Sequence, residues 1–176
     1  VNNNPHNPVI GTRSFGEDPH AVAKLGTAFM RGLQAAGLLA IGKHFPGHGD
    51  TDVDSHLALP TIAHARERLN EVELVPFRAA IDAGIDAVMS AHITFPAVDP
   101  TPGLPSTLSP RVLTGLLRGE LGFGGLIVTD ALEMSGITSQ FSIPDAAVKA
   151  VLAGADIVLV AQSKYNEDGK RAVERL

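Results

Sequence analysis

The chain has 176 residues, with 14 Lys and Arg against 19 Asp and Glu and a formal net charge of −5. A hydrophobic share of 44% suits one packed domain and excludes a disordered chain, while the acidic balance argues against a nucleic-acid-binding face. There is no Cys, which excludes disulfides and thiolate metal sites, and the most apolar stretch, Ala147 to Ala161, is broken by Lys149, Gly154 and Asp156, short of the ~18 apolar residues of a membrane helix.

The opening, Val1-Asn2-Asn3-Asn4-Pro5, lacks an initiating Met and reads as the middle of a longer polypeptide, so it says nothing about targeting. From Pro19, apolar residues fall at helical spacing (Val22, Leu25, Phe29, Leu33, Ala36). Asp18 serves as N-cap, Pro19 as first helical residue and Gly37 as stop. Leu38 to Lys43 is a continuous run that predicts a strand buried on both faces. A loop rich in Gly, Asp, His and Pro spans His44 to Thr61. Helical spacing returns between Ala63 and Ala83, and Pro76 should kink or divide that helix. Ile85 to Ala91 predicts the next strand, followed by a Pro-rich loop from Phe95 to Pro105. Ser109 then caps a helix running through Leu117, with Pro110 at its first position. Leu126 to Thr129 predicts a third strand after the Gly122-Phe123-Gly124-Gly125 turn, residues 143–153 a helix, and Asp156 to Val160 a fourth strand. A last helix begins after Asp168.

Repeated βα units with short buried strands imply a parallel sheet covered by helices. A doubly wound open sheet and a (β/α)8 barrel both fit that order. A barrel takes ~250 residues, so four strands amount to about half of one. The polar segments decide between them, because all follow strands: His44 to His56 after the first, His92 after the second and Asp130 after the third. Barrel enzymes place their chemistry on that C-terminal rim. No G-x-G-x-x-G follows a strand, which weakens a dinucleotide-binding reading. The expected fold class is α/β, an incomplete (β/α)8 barrel.

The densest segment is Lys43-His44-Phe45-Pro46-Gly47-His48-Gly49-Asp50-Thr51-Asp52-Val53-Asp54-Ser55-His56, with three His, three Asp and a Lys in 14 residues. Those His and Asp side chains could ligate a metal. However, Pro46, Gly47 and Gly49 break any helix that would put two His on one face, and the EF-hand spacing fails. A solvated polar loop is the bland alternative. The third reading is acid–base work: in an extended segment Asp54 and His56 share a face, and the carboxylate would hold the imidazole in one tautomer and raise its basicity. The strand Leu126 to Thr129 ends in Asp130, a carboxylate aimed at the barrel mouth or the N-cap of a following helix; the strand pattern leaves both open. His92 either lines the pocket or is buried for structural reasons. Glu133 is a candidate for contacts behind the site and Met134 for packing. His6, His20 and His64 are expected on the surface, and Phe15, Phe29 and Phe77 in the core.

Lys43 to His56, with Pro60 just beyond, resembles the signature of glycoside hydrolase family 3, in particular its β-N-acetylglucosaminidases of the NagZ type. Asn7 to Gly16 (NPVIGTRSFG), Met89 to Ile93 (MSAHI) and Gly122 to Met134 (GFGGLIVTDALEM) agree in the family's order, so the resemblance covers essentially the whole chain. It implies that residues 1–176 are part of one catalytic (β/α)8-type barrel domain, with further strands ahead of Val1 and one after Leu176, and with a sugar-binding Asp in the upstream part. It implies removal of terminal β-linked N-acetylglucosamine with retention, through a covalent glycosyl–enzyme, in peptidoglycan or chitin-sugar turnover. On this resemblance Asp130 is the nucleophile and His56 the acid/base, paired with Asp54. Arg13, Lys43 and His44 bind the sugar. No cofactor and no metal are implied, and the partner is a small carbohydrate rather than nucleic acid or membrane. Relatives occur both inside and outside the cytoplasm, so the compartment stays open. Two carboxylates ~5 Å apart are the usual retaining pair, so a His in this role is unusual. The alternatives are a family 3 β-glucosidase, an N-acetylglucosaminide phosphorylase and, from another class, a non-catalytic carbohydrate-binding remnant. An isolated chain of this length is expected to be poorly stable and weakly active, because four strands leave sheet edges open.

Overall fold

A computed structural model describes every residue except 53, 56, 162–165 and 176. Helix α1 covers Pro19–Ala35 and starts as the sequence dictates: the Asp18 side chain accepts from the Ala21 N–H at 2.7 Å, and Pro19 occupies the first turn. It stops where Gly37 takes φ +78°, a left-handed conformation that disfavours any residue with a Cβ. Strand β1 (Ile41–Phe45) follows, then a long loop and a continuous helical segment over 66–82. That segment divides into α2 (Arg66–Arg68), a π-wound turn (Leu69–Glu73) and α3 (Leu74–Asp82). Pro76 has no N–H to donate and its ring crowds the preceding turn, so the helix widens just ahead of it. Strand β2 is Ala87–Ser90. A π-wound helix, Arg111–Glu120, extends three residues beyond the expected end; Ser109 Oγ accepts from the Val112 N–H at 3.2 Å, as a cap should. Strand β3 (Leu126–Val128), the short α4 (Ser135–Thr138), α5 (Ile143–Ala153) and α6 (Asn166–Arg175) complete the order.

The sheet is parallel and its strands lie in sequence order, β1-β2-β3. Ile41 pairs with Ala87 and Ala87 with Leu126. A doubly wound sheet reverses its strand order at a switch point; a barrel adds each strand beside the last. The observed order is that of a (β/α)8 barrel, present in part. Leu113, Leu116, Leu117, Ile127, Leu132 and Ile137 are fully buried and anchor the core between the sheet and its helices. No helix among the described residues is long and apolar enough to cross a membrane.

Five sequence expectations need correction. β1 begins three residues later than expected and is not buried on both faces: Leu39 is 71% and Ile41 47% exposed. Among the described residues β1 has one strand neighbour, β2, so one edge and much of one face stay open. The fourth strand is reduced to a bridge between Val128 and Ile157. Its pairing continues through a side chain, since the Leu159 N–H donates to Thr129 Oγ1 at 2.9 Å. Phe15 and Phe29 are exposed rather than core; they pack on each other, ring centroids 5.7 Å apart, beside the open edge. His64 is half-buried rather than on the surface, its Nε2 2.6 Å from Asp50 Oδ2. The last helix begins at Asn166, ahead of Asp168.

Candidate active site

Parallel strands in one sheet point their C-terminal ends to one rim, and three chemically loaded segments meet there. The pairing register of β1 shifts between Gly42 and Phe45, an irregularity of the kind that re-aims side chains beside active sites. The Lys43–His44 and Phe45–Pro46 peptide bonds are cis. His44 Nε2 lies 3.6 Å from Asp130 Oδ2, and the two side chains are 9% and 17% exposed. Burial pushes the His44 pKa down to about 4; the Asp130 carboxylate pulls it up, and Lys43, His48 and Arg13 push it down further. His44 is therefore neutral near pH 7.

Asp130 lies two residues beyond the end of β3. Its Oδ1 accepts from the Ala131 N–H at 2.9 Å. The next helix, α4, starts at Ser135 with Met134 as its N-cap residue, so Asp130 is not a helix cap and that alternative falls. The carbonyl of Ala131 accepts from His92 Nε2 at 2.9 Å, and His92 Nδ1 lies 2.9 Å from Thr107 Oγ1. A carbonyl only accepts, so this contact puts the proton on Nε2 of a neutral ring. His92 is fully buried, and burial lowers its pKa: it supports the Asp130 segment from behind rather than lining a pocket. Glu133 is buried too, its carboxylate accepting from the Ala161 N–H at 3.1 Å. Met134 is buried packing.

Arg13 ends a 3-10 turn, Gly11–Arg13, and donates from Nη2 to the Val9 carbonyl at 2.8 Å. Arg13, Lys43, His44 and His48 all line a cavity of about 300 Å³ between α1 and β1. Phe29, Met30, Leu33 and Phe77 form part of its apolar wall. The sugar-binding candidates Arg13, Lys43 and His44 thus line one cavity; Asp130, beside His44, is not among its lining residues.

The expected Asp54–His56 dyad falls only in part within the described residues. The N–H groups of Leu57 and Ala58 both donate to the Asp54 carbonyl, at 2.9 and 3.0 Å. The backbone therefore turns after Asp54. Asp54 is half-buried; His56 lies outside the described residues. The Asp54 carboxylate is close enough that, with Asp130, it favours the charged form of His48, while burial, the larger effect, lowers the His48 pKa. Among the described residues no group of three or more His, Asp or Glu is arranged to hold a metal ion: His48 bonds to hydroxyls and Asp50 to His64.

Asn7 was not singled out as a site residue in the sequence. Its Nδ2 donates to the His48 carbonyl at 2.9 Å and to Thr51 Oγ1 at 3.2 Å, while its Oδ1 accepts from the N–H groups of Val9 and Ile10. It ties the turn that carries Arg13 to the loop that carries Asp54. The local signal was the Asn7-Pro8 turn; its distant partners left no local trace.

Comparison with known proteins agrees with this geometry. The family described as "Glycosyl hydrolase family 3 N terminal domain" matches residues 1–176. The chain is 46% identical to Beta-hexosaminidase A of Pseudoalteromonas piscicida over 91% of its length and 28% of that protein's. It is 40% identical to a Beta-hexosaminidase of Stenotrophomonas maltophilia over 96% of its length and 49% of that protein's. It therefore spans half or less of the length of these relatives. Among solved structures, a glycoside hydrolase family 3 beta-N-acetylglucosaminidase from Paenibacillus sp. str. FPU-7 superposes with a TM-score of 0.97 at 57% identity, covering 100% of this chain and 33% of that one. Beta-glucoside phosphorylase BglX superposes at 0.92 with 32% identity, again over 100% and 33%. With a family match along its whole length and a Lys43–His44 strand end facing Asp130 on one rim of a parallel sheet, this chain belongs to glycosyl hydrolase family 3.

Proposed function

We propose that residues 1–176 are part of a single catalytic barrel domain of a retaining exo-β-N-acetylglucosaminidase, acting on terminal β-linked N-acetylglucosamine from peptidoglycan or chitin. The observation that supports this reading most is the placement of Asp130: it caps no helix, follows a strand on the rim, and lies 3.6 Å from His44. The Asp130 carboxylate attacks the anomeric carbon and forms a glycosyl ester as the aglycone leaves. His56 donates a proton to the departing oxygen and then takes one from the incoming water. Asp54 holds that imidazole in the required tautomer. Arg13 and Lys43 donate charge-assisted hydrogen bonds to sugar hydroxyls. His44, neutral and beside the nucleophile, offers a ring N–H to the sugar without adding a charge that would quench the carboxylate.

Asp130→Asn in the complete protein should lower kcat for an aryl N-acetylglucosaminide roughly 10³-fold or more, because a neutral amide is a poor nucleophile. Turnover of that variant at the parent rate would refute the assignment. The similarity to a β-glucoside phosphorylase favours a second reading, in which phosphate replaces water as acceptor. Accumulation of N-acetylglucosamine 1-phosphate in phosphate buffer would select it.

A further inference from the structure

Ser55 sits between the two residues of the proposed dyad, and the catalytic reading gives it no task. It is 2% exposed. A residue of its own loop and one of α4 hold it. Its Oγ lies 2.9 Å from Nε2 of His48, which is itself buried, and its carbonyl accepts from the Gly136 N–H of α4 at 3.1 Å. A Cβ on Gly136 would stand 3.1 Å from both the Ser55 carbonyl oxygen and His92 Cβ, so α4 meets the loop with bare backbone.

These contacts form a chain. Thr51 Oγ1 lies 3.0 Å from His48 Nδ1 and 3.2 Å from the His48 carbonyl oxygen. A neutral ring donates from one nitrogen and accepts at the other. In either tautomer His48 bridges the Thr51 hydroxyl to the Ser55 hydroxyl. Asn7 closes the arrangement by donating to both the His48 carbonyl and Thr51 Oγ1. Each group in the chain is satisfied, which is the condition under which a buried polar network fixes one conformation.

We propose that Ser55 is a positioning residue: its hydroxyl bond to His48 and its carbonyl bond to Gly136 dock Ser55, the chain neighbour of the proposed acid/base His56 and its partner Asp54, against the segment that follows β3, and the proton transfer of the proposed mechanism depends on that docking. This rests on the proposed retaining mechanism and adds a residue to it. Docking matters most when the aglycone needs its proton. Loss of the hydroxyl should therefore show in the dependence on leaving group rather than in substrate binding.

The test uses the complete protein with three variants: Ser55→Ala, His48→Leu and Asp130→Asn. kcat/KM is measured for phenyl and for dinitrophenyl N-acetylglucosaminides; it reports the first, glycosylating step. Ser55→Ala should lose about 10-fold or more on the phenyl substrate, which needs general acid help, and keep most of its rate on the dinitrophenyl substrate. His48→Leu, where it folds by circular dichroism, should show the same split. Equal losses on both substrates, or no loss on either, in Ser55→Ala would overturn the proposal. Full turnover by Asp130→Asn would overturn the underlying mechanism instead, so the two failures are distinct.

Discussion

At the scale of single residues, the informative pair is His44 and Asp130. Two effects of opposite sign act on the imidazole. Burial disfavours the charged ring and wins, carrying the pKa down to about 4; the carboxylate 3.6 Å away resists. Removing the carboxylate removes the resisting effect. In Asp130→Asn the His44 pKa should fall below its parent value, read from the imidazole carbon-bound proton shifts in an NMR titration. A pKa that rises in the variant would mean that the two side chains do not interact as their separation requires. The same variant tests catalysis, but the titration reads contact without requiring turnover.

At the scale of elements, β3 and the segment after it show how a short strand is supported. The Thr129 N–H donates to the Ile157 carbonyl at 2.9 Å, and Thr129 Oγ1 accepts from the Leu159 N–H at the same distance. A side chain thus stands in for the ladder bond that a longer fourth strand would make. Thr129 is fully buried, so Thr129→Val keeps the shape and strands the Leu159 N–H. That should cost about 1–3 kcal/mol, seen as a lower urea midpoint with an unchanged slope; Thr129→Ser should restore most of it. Unaltered stability in Thr129→Val would show that water or a rearranged backbone satisfies Leu159.

What was legible in the sequence at this scale was local chemistry. Asp18, Pro19 and Gly37 bound α1 because caps and left-handed stops act within a few residues, and the polar loops named the rim. What was not legible depends on neighbours. The reduction of the fourth strand and the half-burial of His64 against Asp50 are set by partners distant in the chain. Phe29 obeyed helical spacing yet lies exposed, since spacing names a face without naming what covers it.

At the scale of the whole molecule, the site imposes a pH dependence on the fold. His44, His48 and His92 are all held neutral by burial, each with its pKa below the ordinary value of 6.5. Between 6.5 and each folded-state value the unfolded chain binds protons that the native state does not, so acid favours unfolding. The stabilisation is complete above pH 6.5 and is lost as pH falls; for His44 the loss continues to about pH 4. That depression alone corresponds to a loss on the order of 3 kcal/mol. Glu73 works against it: burial raises its pKa above 4.5, so the native state takes up its proton first and gains relative stability as pH drops. Three buried imidazoles against one carboxylate set the sign. The urea midpoint should fall steadily from pH 6.5 towards 4. Replacing His44 by Gln, which does not titrate, should flatten that slope while leaving Glu73 to act alone against the remaining two rings. A midpoint that stays level or rises through this window in the parent protein would mean that the three rings are not held neutral in the native state, and with them would go the neutral His44 assigned to the sugar.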